Sequence, residues 1–154
     1  MSLQRIYKAA TDPGFLEQLA FIIFVSGFKY DIVEQRWPNI RKAFWDFDIE
    51  KVAICREKEF SKLMKSHNMI KNQDKIVAII ENAHLIFKIS RKHGSAIAWI
   101  KTKVRGLRDE KTPEDLAKIL LSKDFQRFKR IGATTSLWLS ELYYSRNPCI
   151  DIEI

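Results

Sequence analysis

Residues 72–92 read NQDKIVAIIENAHLIFKISRK and decide the fold of this chain. The small and apolar side chains of this stretch recur every three or four residues, which is the spacing of one face of an α-helix. Gly94 follows the stretch and is typical of a residue that ends a helix. The pattern predicts an amphipathic helix that lays one stripe on a core, formed by Ile76, Ile79, Ile80, Ala83, Ile86, Phe87 and Ser90.

The rest of the chain, read outward from this helix, keeps the helical periodicity and has no strictly alternating strand pattern. Asp12 and Pro13 are a typical N-cap and first-turn pair, and Pro38 predicts a break or kink after Trp37. We expect an all-α fold, a compact multi-helix single domain over residues 1–154, since no linker or repeat interrupts it. Further helices are predicted over 15–28, 30–44, 48–54, 56–65, 96–104, 112–121, 124–129 and 133–144.

The composition narrows the functional classes. The chain has 154 residues, 27 Lys and Arg against 19 Asp and Glu, and a formal charge of +8. A surplus of cations favours a polyanionic partner such as nucleic acid, although a solvated, lysine-rich helical surface accounts for the same charge. Two cysteines, Cys55 and Cys149, are too few for a disulfide framework, and no apolar run approaches the ~20 residues of a membrane span. We expect a soluble, cytoplasmic protein without membrane contact.

The sequence FKRIGATT, residues 128–135, predicts two helices joined by a short turn that contains glycine. The free N–H groups and partial positive charge of a helix N-terminus suit a phosphate, and a lysine and an arginine stand beside them. The alternative is a plain helical hairpin that binds no ligand, with Gly132 as C-cap and Thr134 as N-cap, because it accounts for the same sequence. The residues that we expect to hold a DNA backbone phosphate are Lys129, Arg130, Gly132, Ala133 and Thr134.

Three segments resemble the DNA-3-methyladenine glycosylase I family of the helix-hairpin-helix DNA glycosylase superfamily. The run MIKNQDKIVAIIENA, residues 69–83, carries an Ile, a basic residue, Lys-Ile and Asn-Ala at the family's spacing. GFKY at 27–30 precedes it and FKRIGATT follows it, in the same order as in the family. The resemblance implies a DNA glycosylase-like fold with a helix-hairpin-helix motif, and double-stranded DNA as the partner.

The resemblance also implies a pocket for a base that is rotated out of the duplex. Tyr30 stands where the family has a tryptophan three residues after the glycine, and its ring would stack on the base; packing at the edge of the core is the alternative. Phe24 and Phe28 lie nearby in the sequence and are further base-binding candidates. Ile22 occupies the position of the glutamate with which the family recognises the base, so that acid is missing.

Two further departures concern the termini. The family's N-terminal aromatic and histidine-containing segment, which supplies zinc ligands, has no counterpart before Leu16, so we expect a shortened relative without a metal or another cofactor. The superfamily commonly places a catalytic aspartate downstream of the second glycine of the hairpin, and Asp151 lies nineteen residues after Gly132. Asp151 is therefore a candidate catalytic residue, and a frayed acidic tail is the alternative.

The sequence supports three hypotheses about the function of the chain. The first is a DNA N-glycosylase of base excision repair, which flips alkylated purines of the 3-methyladenine type out of duplex DNA and hydrolyses the glycosidic bond. The alternative is a non-catalytic helix-hairpin-helix DNA-binding module that has lost its base-recognition pocket, as Ile22 suggests. A helical interaction protein with no nucleic-acid partner is a third interpretation. We expect the chain to be a monomer.

Overall fold

The computed structural model describes residues 3–107, 112, 115 and 124–153, so that the helix predicted over 112–121 lies almost entirely outside it. Helices dominate the described residues, and the predicted all-α fold is confirmed. The α-helices are α1 Asp12–Val25, α2 Tyr30–Ala43, α3 Ile49–Ala53, α4 Glu57–Lys65, α5 Gln73–His93, α6 Ala96–Leu107 and α7 Ala133–Tyr144. Single 3₁₀ turns cover Trp45–Phe47 and Phe125–Arg127. Within the described residues, no helix is both long and apolar enough to cross a membrane.

Helices α1 and α5 form the centre of the core. On α5 four of the seven residues of the predicted stripe, Ile76, Ile79, Ala83 and Ile86, have no accessible surface. The other three, Ile80, Phe87 and Ser90, are half-buried. Helix α1 contacts α2, α3, α5 and α6, which explains why its sequence is apolar on nearly every side. Burial of one large apolar side chain contributes roughly 1.5–3 kcal/mol, so this pair of helices is a major source of stability.

The start of α1 differs from the prediction. Thr11, not Asp12, is the N-cap, and its hydroxyl accepts a hydrogen bond from the Gly14 N–H at 3.1 Å. The Asp12 carboxylate instead accepts bonds from the N–H groups of Ala96 and Ile97, at 2.9 and 3.0 Å. Those N–H groups lie in the first turn of α6 and have no acceptor within their own helix. One acid therefore fastens the N-terminal ends of α1 and α6 together.

Helix α2 continues through Pro38, so the predicted break after Trp37 is wrong. A proline inside a helix removes one backbone hydrogen bond. Val33 and Ile40, on either side of it, are fully buried in the core, and this packing holds the helix together across the proline. The helix predicted over 124–129 is likewise reduced to a 3₁₀ turn.

The two ends of the described chain pair in a small sheet that the periodicity does not predict. Strand β1, Leu3–Tyr7, runs antiparallel to β2, Cys149–Glu153, with Arg5 opposite Asp151. These two residues are 146 positions apart, and a local pattern carries no information about so distant a partner. The interpretation of Asp151 as part of a frayed tail is wrong, because it is a paired strand residue.

Candidate functional site

A cavity of about 650 Å³ lies between α1, α2, α7 and the terminal sheet. Small-molecule sites in proteins have volumes of about 300–1,000 Å³, so the cavity has the size of a ligand pocket. Its walls are formed by Gln4, Arg5, Ile6, Tyr7, Lys8, Ala9, Gly14, Glu17, Gln18, Phe21, Ile22, Val25, Ser26, Gly27, Tyr30, Trp37, Thr134, Thr135, Trp138 and Ile152. Aromatic and aliphatic side chains converge here with polar ones, among them Glu17, Gln18, Thr134 and Thr135.

Helix α1 supplies one complete face of the cavity. Its contributing residues recur every three or four positions and are Gly14, Glu17, Gln18, Phe21, Ile22 and Val25. Of these the sequence predicts only Ile22, because a helix that is apolar nearly all round gives no periodic signal for the side that faces a cavity. A usable signal was the polar pair Glu17 and Gln18, which interrupts an otherwise apolar helix on the same stripe as Phe21.

Phe21, Tyr30 and Trp37 form the aromatic wall of the cavity. The Phe21 ring makes edge contacts with both others, at centroid distances of 5.4 Å to Tyr30 and 5.0 Å to Trp37. Phe47 stacks on Trp37 from the core side, at 5.6 Å. Such ring contacts favour particular orientations, so the wall is an ordered surface against which a planar group can pack.

Two of the four predicted base-binding residues line the cavity, namely Ile22 and Tyr30. Phe24 is fully buried and packs against Trp37 at 6.2 Å, on the core side of the wall. Phe28 is 40% exposed in the turn before α2 and is not part of the lining. The structure thus brings Ile22 and Tyr30 together and separates them from the two phenylalanines.

The Tyr30 side chain presents a ring and a neutral hydroxyl. Its burial raises the pKa of the phenol above the ordinary value, and the carboxylates of Glu34 and Asp31 raise it further. A phenol with a raised pKa keeps its proton at neutral pH. Tyr30 can therefore stack on a ligand and form a hydrogen bond with it, but is not suited to act as a base.

Glu17 supplies the single carboxylate among the lining residues that the structure describes. Its Oε2 accepts a hydrogen bond from the Trp37 indole N–H at 3.3 Å, which connects the acid to the aromatic wall. Its Oε1 lies 3.4 Å from Nε of Arg41, and the same guanidinium lies 3.7 Å from Asp46. The Glu17 side chain keeps 27% of its surface and lines the cavity.

The turn before α7 is fixed to α5 by Asn82. This fully buried side chain donates from Nδ2 to the Lys129 carbonyl at 3.1 Å and accepts from the Lys129 N–H at 2.6 Å. Both backbone groups of one turn residue are thereby satisfied from a rigid helix. Arg130 follows in the left-handed region, with φ of 58°, so the chain reverses there rather than at a glycine.

Gly132 is the N-cap of α7 and has an ordinary φ of −84°. This corrects the expectation that it would be a C-cap glycine, since its backbone conformation is open to any residue. A Cβ atom at this position would meet nothing within 4 Å. With no side-chain cap, the first N–H groups of α7, on Ala133 and Thr134, point out of the helix end without an intrahelical partner.

The helix end after the turn belongs to the cavity as well. Thr134, Thr135 and Trp138 on α7 all line it, and Lys129 and Arg130 are exposed beside them in the sequence. The exposed cations and the start of α7 therefore lie beside the wall of the cavity. All five residues that were predicted to hold a phosphate lie on the surface in this region.

Lys75 fastens the turn between α1 and α2 from within. Its ammonium group donates to the carbonyl of Phe24 at 3.2 Å and to that of Ser26 at 2.5 Å. Burial lowers the pKa of Lys75, and the nearby charge of Arg130 lowers it further. Because Ser26 and Gly27 line the cavity, this buried lysine positions the backbone at its edge.

Asp151 lies on β2 and is not one of the lining residues, whereas its neighbour Ile152 is. Its carboxylate pairs with the Arg5 guanidinium, at 2.9 Å between Oδ1 and Nε. The hydrogen bond and the charge of Arg5 lower the pKa of this carboxyl. The catalytic role suggested by its distance from Gly132 stays a prediction, and the ion pair offers a structural role for the same residue.

Neither cysteine is oxidised in the structure, and Cys149 is half-buried on β2. In the ranges 3–107 and 124–153, no group of three or more His, Cys, Asp or Glu side chains is arranged to hold a metal ion.

Comparison with known proteins places the chain among DNA repair enzymes. The model of the methyladenine glycosylase family matches residues 8–135. The 3-methyladenine DNA glycosylase I of Staphylococcus aureus, solved to explain 3-methyladenine recognition, is 26% identical, with a TM-score of 0.70 over 93% of this chain and 81% of that chain. A phenylalanine-for-tyrosine variant of 3-methyladenine DNA glycosylase I, solved in complex with 3-methyladenine, is 25% identical, with a TM-score of 0.69 over 93% and 82%.

Proposed function

Because the chain belongs to the methyladenine glycosylase family, we propose that it is a DNA N-glycosylase that removes alkylated purines of the 3-methyladenine type from duplex DNA. The observation that carries the proposal is the shared border of the cavity and the turn before α7. Thr134 and Thr135 lie in the first turn of α7 and also line the aromatic cavity. A duplex held at that turn presents its bases to the cavity.

The turn and the first residues of α7 hold the DNA backbone in this proposal. The N–H groups of Ala133 and Thr134 offer two donors and the partial positive charge of a helix N-terminus. Lys129 and Arg130, both exposed, add full charges. Contacts of this kind fix the position of the duplex without reading its sequence, as a repair enzyme requires.

The cavity receives the base after it has rotated out of the duplex. Rotation costs a few kcal/mol for unstacking, and contacts of the base with the aromatic wall offset this cost. Tyr30 and Trp37 provide ring surfaces, and Glu17 and Gln18 provide polar groups for the edge of a purine. Ile22, where the family has its glutamate, adds an apolar contact to the same wall.

The bond to be broken joins the base to C1′ of deoxyribose. Water adds to C1′, and the base leaves. A purine alkylated at N3 or N7 carries a positive charge and leaves as a neutral base, so part of the activation lies in the lesion itself. A normal purine lacks this charge and would need protonation by an acid. We therefore infer that unmodified bases are not substrates.

A non-catalytic DNA-binding module remains the second candidate, supported by Ile22 in place of the family's acid. Release of free base from methylated duplex DNA, measured by chromatography, separates the two functions. We expect the purified protein to release alkylated purines of the 3-methyladenine type, and no normal base. Salt-sensitive duplex binding without release would establish the module, and absence of both would exclude a nucleic-acid function.

A further inference from the structure

The molecule as a whole is positively charged, whereas the aromatic part of the cavity contains an acid. The chain has a formal charge of +8, yet an acid, Glu17, lies in the aromatic part of the cavity. The two lining cations are on the side of β1 and have acceptors of their own. Arg5 pairs with Asp151, and the Lys8 ammonium donates to the Ser145 carbonyl.

Glu17 keeps a net negative charge at the aromatic wall. Among the described residues, the cation that pairs with it is Arg41, which is half exposed and is shared with a second carboxylate, that of Asp46. Two acids and one guanidinium leave one negative charge in this group. The Trp37 N–H that binds Oε2 is neutral, so it orients the carboxylate without cancelling its charge.

We propose that Glu17 is the specificity-determining acid of this pocket, and that together with the rings of Phe21, Tyr30 and Trp37 it selects a positively charged, N-alkylated purine over a neutral one. A carboxylate attracts the cation and accepts a hydrogen bond from an exocyclic amino group, while aromatic faces add a cation–π attraction. Glu17 lies five residues before Ile22 on α1, at another place on the same cavity face. The acid missing at Ile22 is thus supplied from a neighbouring position.

Trp37 is the positioning residue for this acid. Its indole N–H fixes Oε2, and its ring is itself clamped between Phe21 and Phe47. A carboxylate held by a rigid donor loses little further freedom when a ligand binds. The proposal rests on the proposed glycosylase function for the identity of the ligand, but the preference for a cation can be measured on its own.

Isothermal titration calorimetry with two small probes tests the preference without catalysis. The probes are 3,9-dimethyladeninium, a permanent cation with the charge of an N3-alkylated adenine nucleotide, and neutral 9-methyladenine. We expect the wild-type protein to bind the cation more tightly and Glu17→Gln to lose about tenfold or more of that preference, since a charge-assisted hydrogen bond is removed. Glu50→Gln, which removes an exposed charge from α3 outside the lining, is the matched control and keeps the preference.

Trp37→Phe gives a second, independent arm. It keeps an aromatic ring but removes the donor to Oε2, so we expect a smaller loss of cation preference than in Glu17→Gln. Circular dichroism and affinity for unmodified duplex show that each variant is folded. Equal preference in the wild-type protein and in both variants would overturn the role of Glu17.

Base release from methylated duplex separates this proposal from the proposed function. Release by the wild-type protein that is equally fast in Glu17→Gln contradicts the acid's role and leaves the glycosylase intact. A wild-type protein that prefers the cation but releases no base contradicts the glycosylase and supports the acid's role. Slower release in Glu17→Gln, with unchanged release in Glu50→Gln, supports both.

Discussion

At the scale of single residues, the structure separates side chains that face the cavity from those that support it. Tyr30 and Phe24 are both aromatic and six positions apart, yet Tyr30 lines the cavity and Phe24 is enclosed behind Trp37. The sequence identifies Tyr30 through its place after Gly27. It does not identify Glu17, because the direction in which a residue of an all-apolar helix points depends on packing partners that are distant in sequence.

Tyr30→Ala tests the aromatic wall. Loss of the ring removes a stacking surface worth about 1–3 kcal/mol per base in single-stranded complexes, so release of alkylated base should fall by about tenfold or more. Binding to undamaged duplex should change little, and Tyr30→Phe, which keeps the ring, should retain most of the release rate. Parallel kinetic and gel-shift measurements check this, and equal losses of both activities would identify Tyr30 as a packing residue.

Asp151 is expected to act in the terminal sheet. Because Arg5 lowers the pKa of its carboxyl in the folded protein, the pair stabilises the fold above the ordinary pKa of aspartate, and this contribution disappears as the pH falls through the lowered value. NMR titration of the carboxyl should give a pKa below the ordinary range, which returns toward that range in Arg5→Met. Base release should be unchanged in Asp151→Asn; a large loss would instead support the catalytic role inferred from its spacing to Gly132.

At the scale of elements, local patterns predict helices well and their continuity less well. Most of the stripe of α5 is predicted correctly because its helix packs one face on the core. Pro38 misleads, since the burial of Val33 and Ile40 outweighs the local preference of proline. The β1–β2 pairing is missed because each strand is only five residues long and its partner lies at the other end of the chain.

Gly132→Asp tests the phosphate site at the start of α7. Aspartate is a good N-cap and meets no steric obstacle here, so the thermal stability should be equal or higher, while its negative charge repels a phosphate. Duplex affinity at low salt should therefore fall by about tenfold or more. Gly132→Asn, a neutral cap of the same shape, is the control and should lose much less. Unchanged affinity in Gly132→Asp would place the DNA elsewhere.

Asn82→Ala tests how firmly α5 holds the turn. The variant leaves the N–H and carbonyl of Lys129 without their partners, which costs about 1–3 kcal/mol of unfolding free energy in urea titrations. Duplex affinity should also fall, because the turn loses its fixed position. Glu81→Ala, at the exposed neighbouring position of α5, should change neither quantity by a comparable amount. A stable Asn82→Ala protein with normal affinity would show that the turn is fixed by other contacts.

At the scale of the whole molecule, the fold brings three distant segments to one place. Strand β1, the stripe of α1 and the first turn of α7 meet around the cavity, although the chain separates them by more than a hundred residues from end to end. The family resemblance predicts that the base pocket and the turn lie together, because it implies the whole fold rather than single helices. The terminal sheet and the place of Glu17 in the cavity wall are seen in the structure and do not follow from local periodicity.

We expect the cavity and the turn before α7 together to cleave the glycosidic bond of alkylated adenine in a duplex. End-labelled duplex DNA, methylated and then incubated with the protein, tests this, because alkali breaks the strand wherever a base has been removed. New breaks should appear at adenines, dependent on prior methylation and on the wild-type cavity, with none in unmethylated duplex. An intact strand with the protein bound to it would contradict the proposed glycosylase activity.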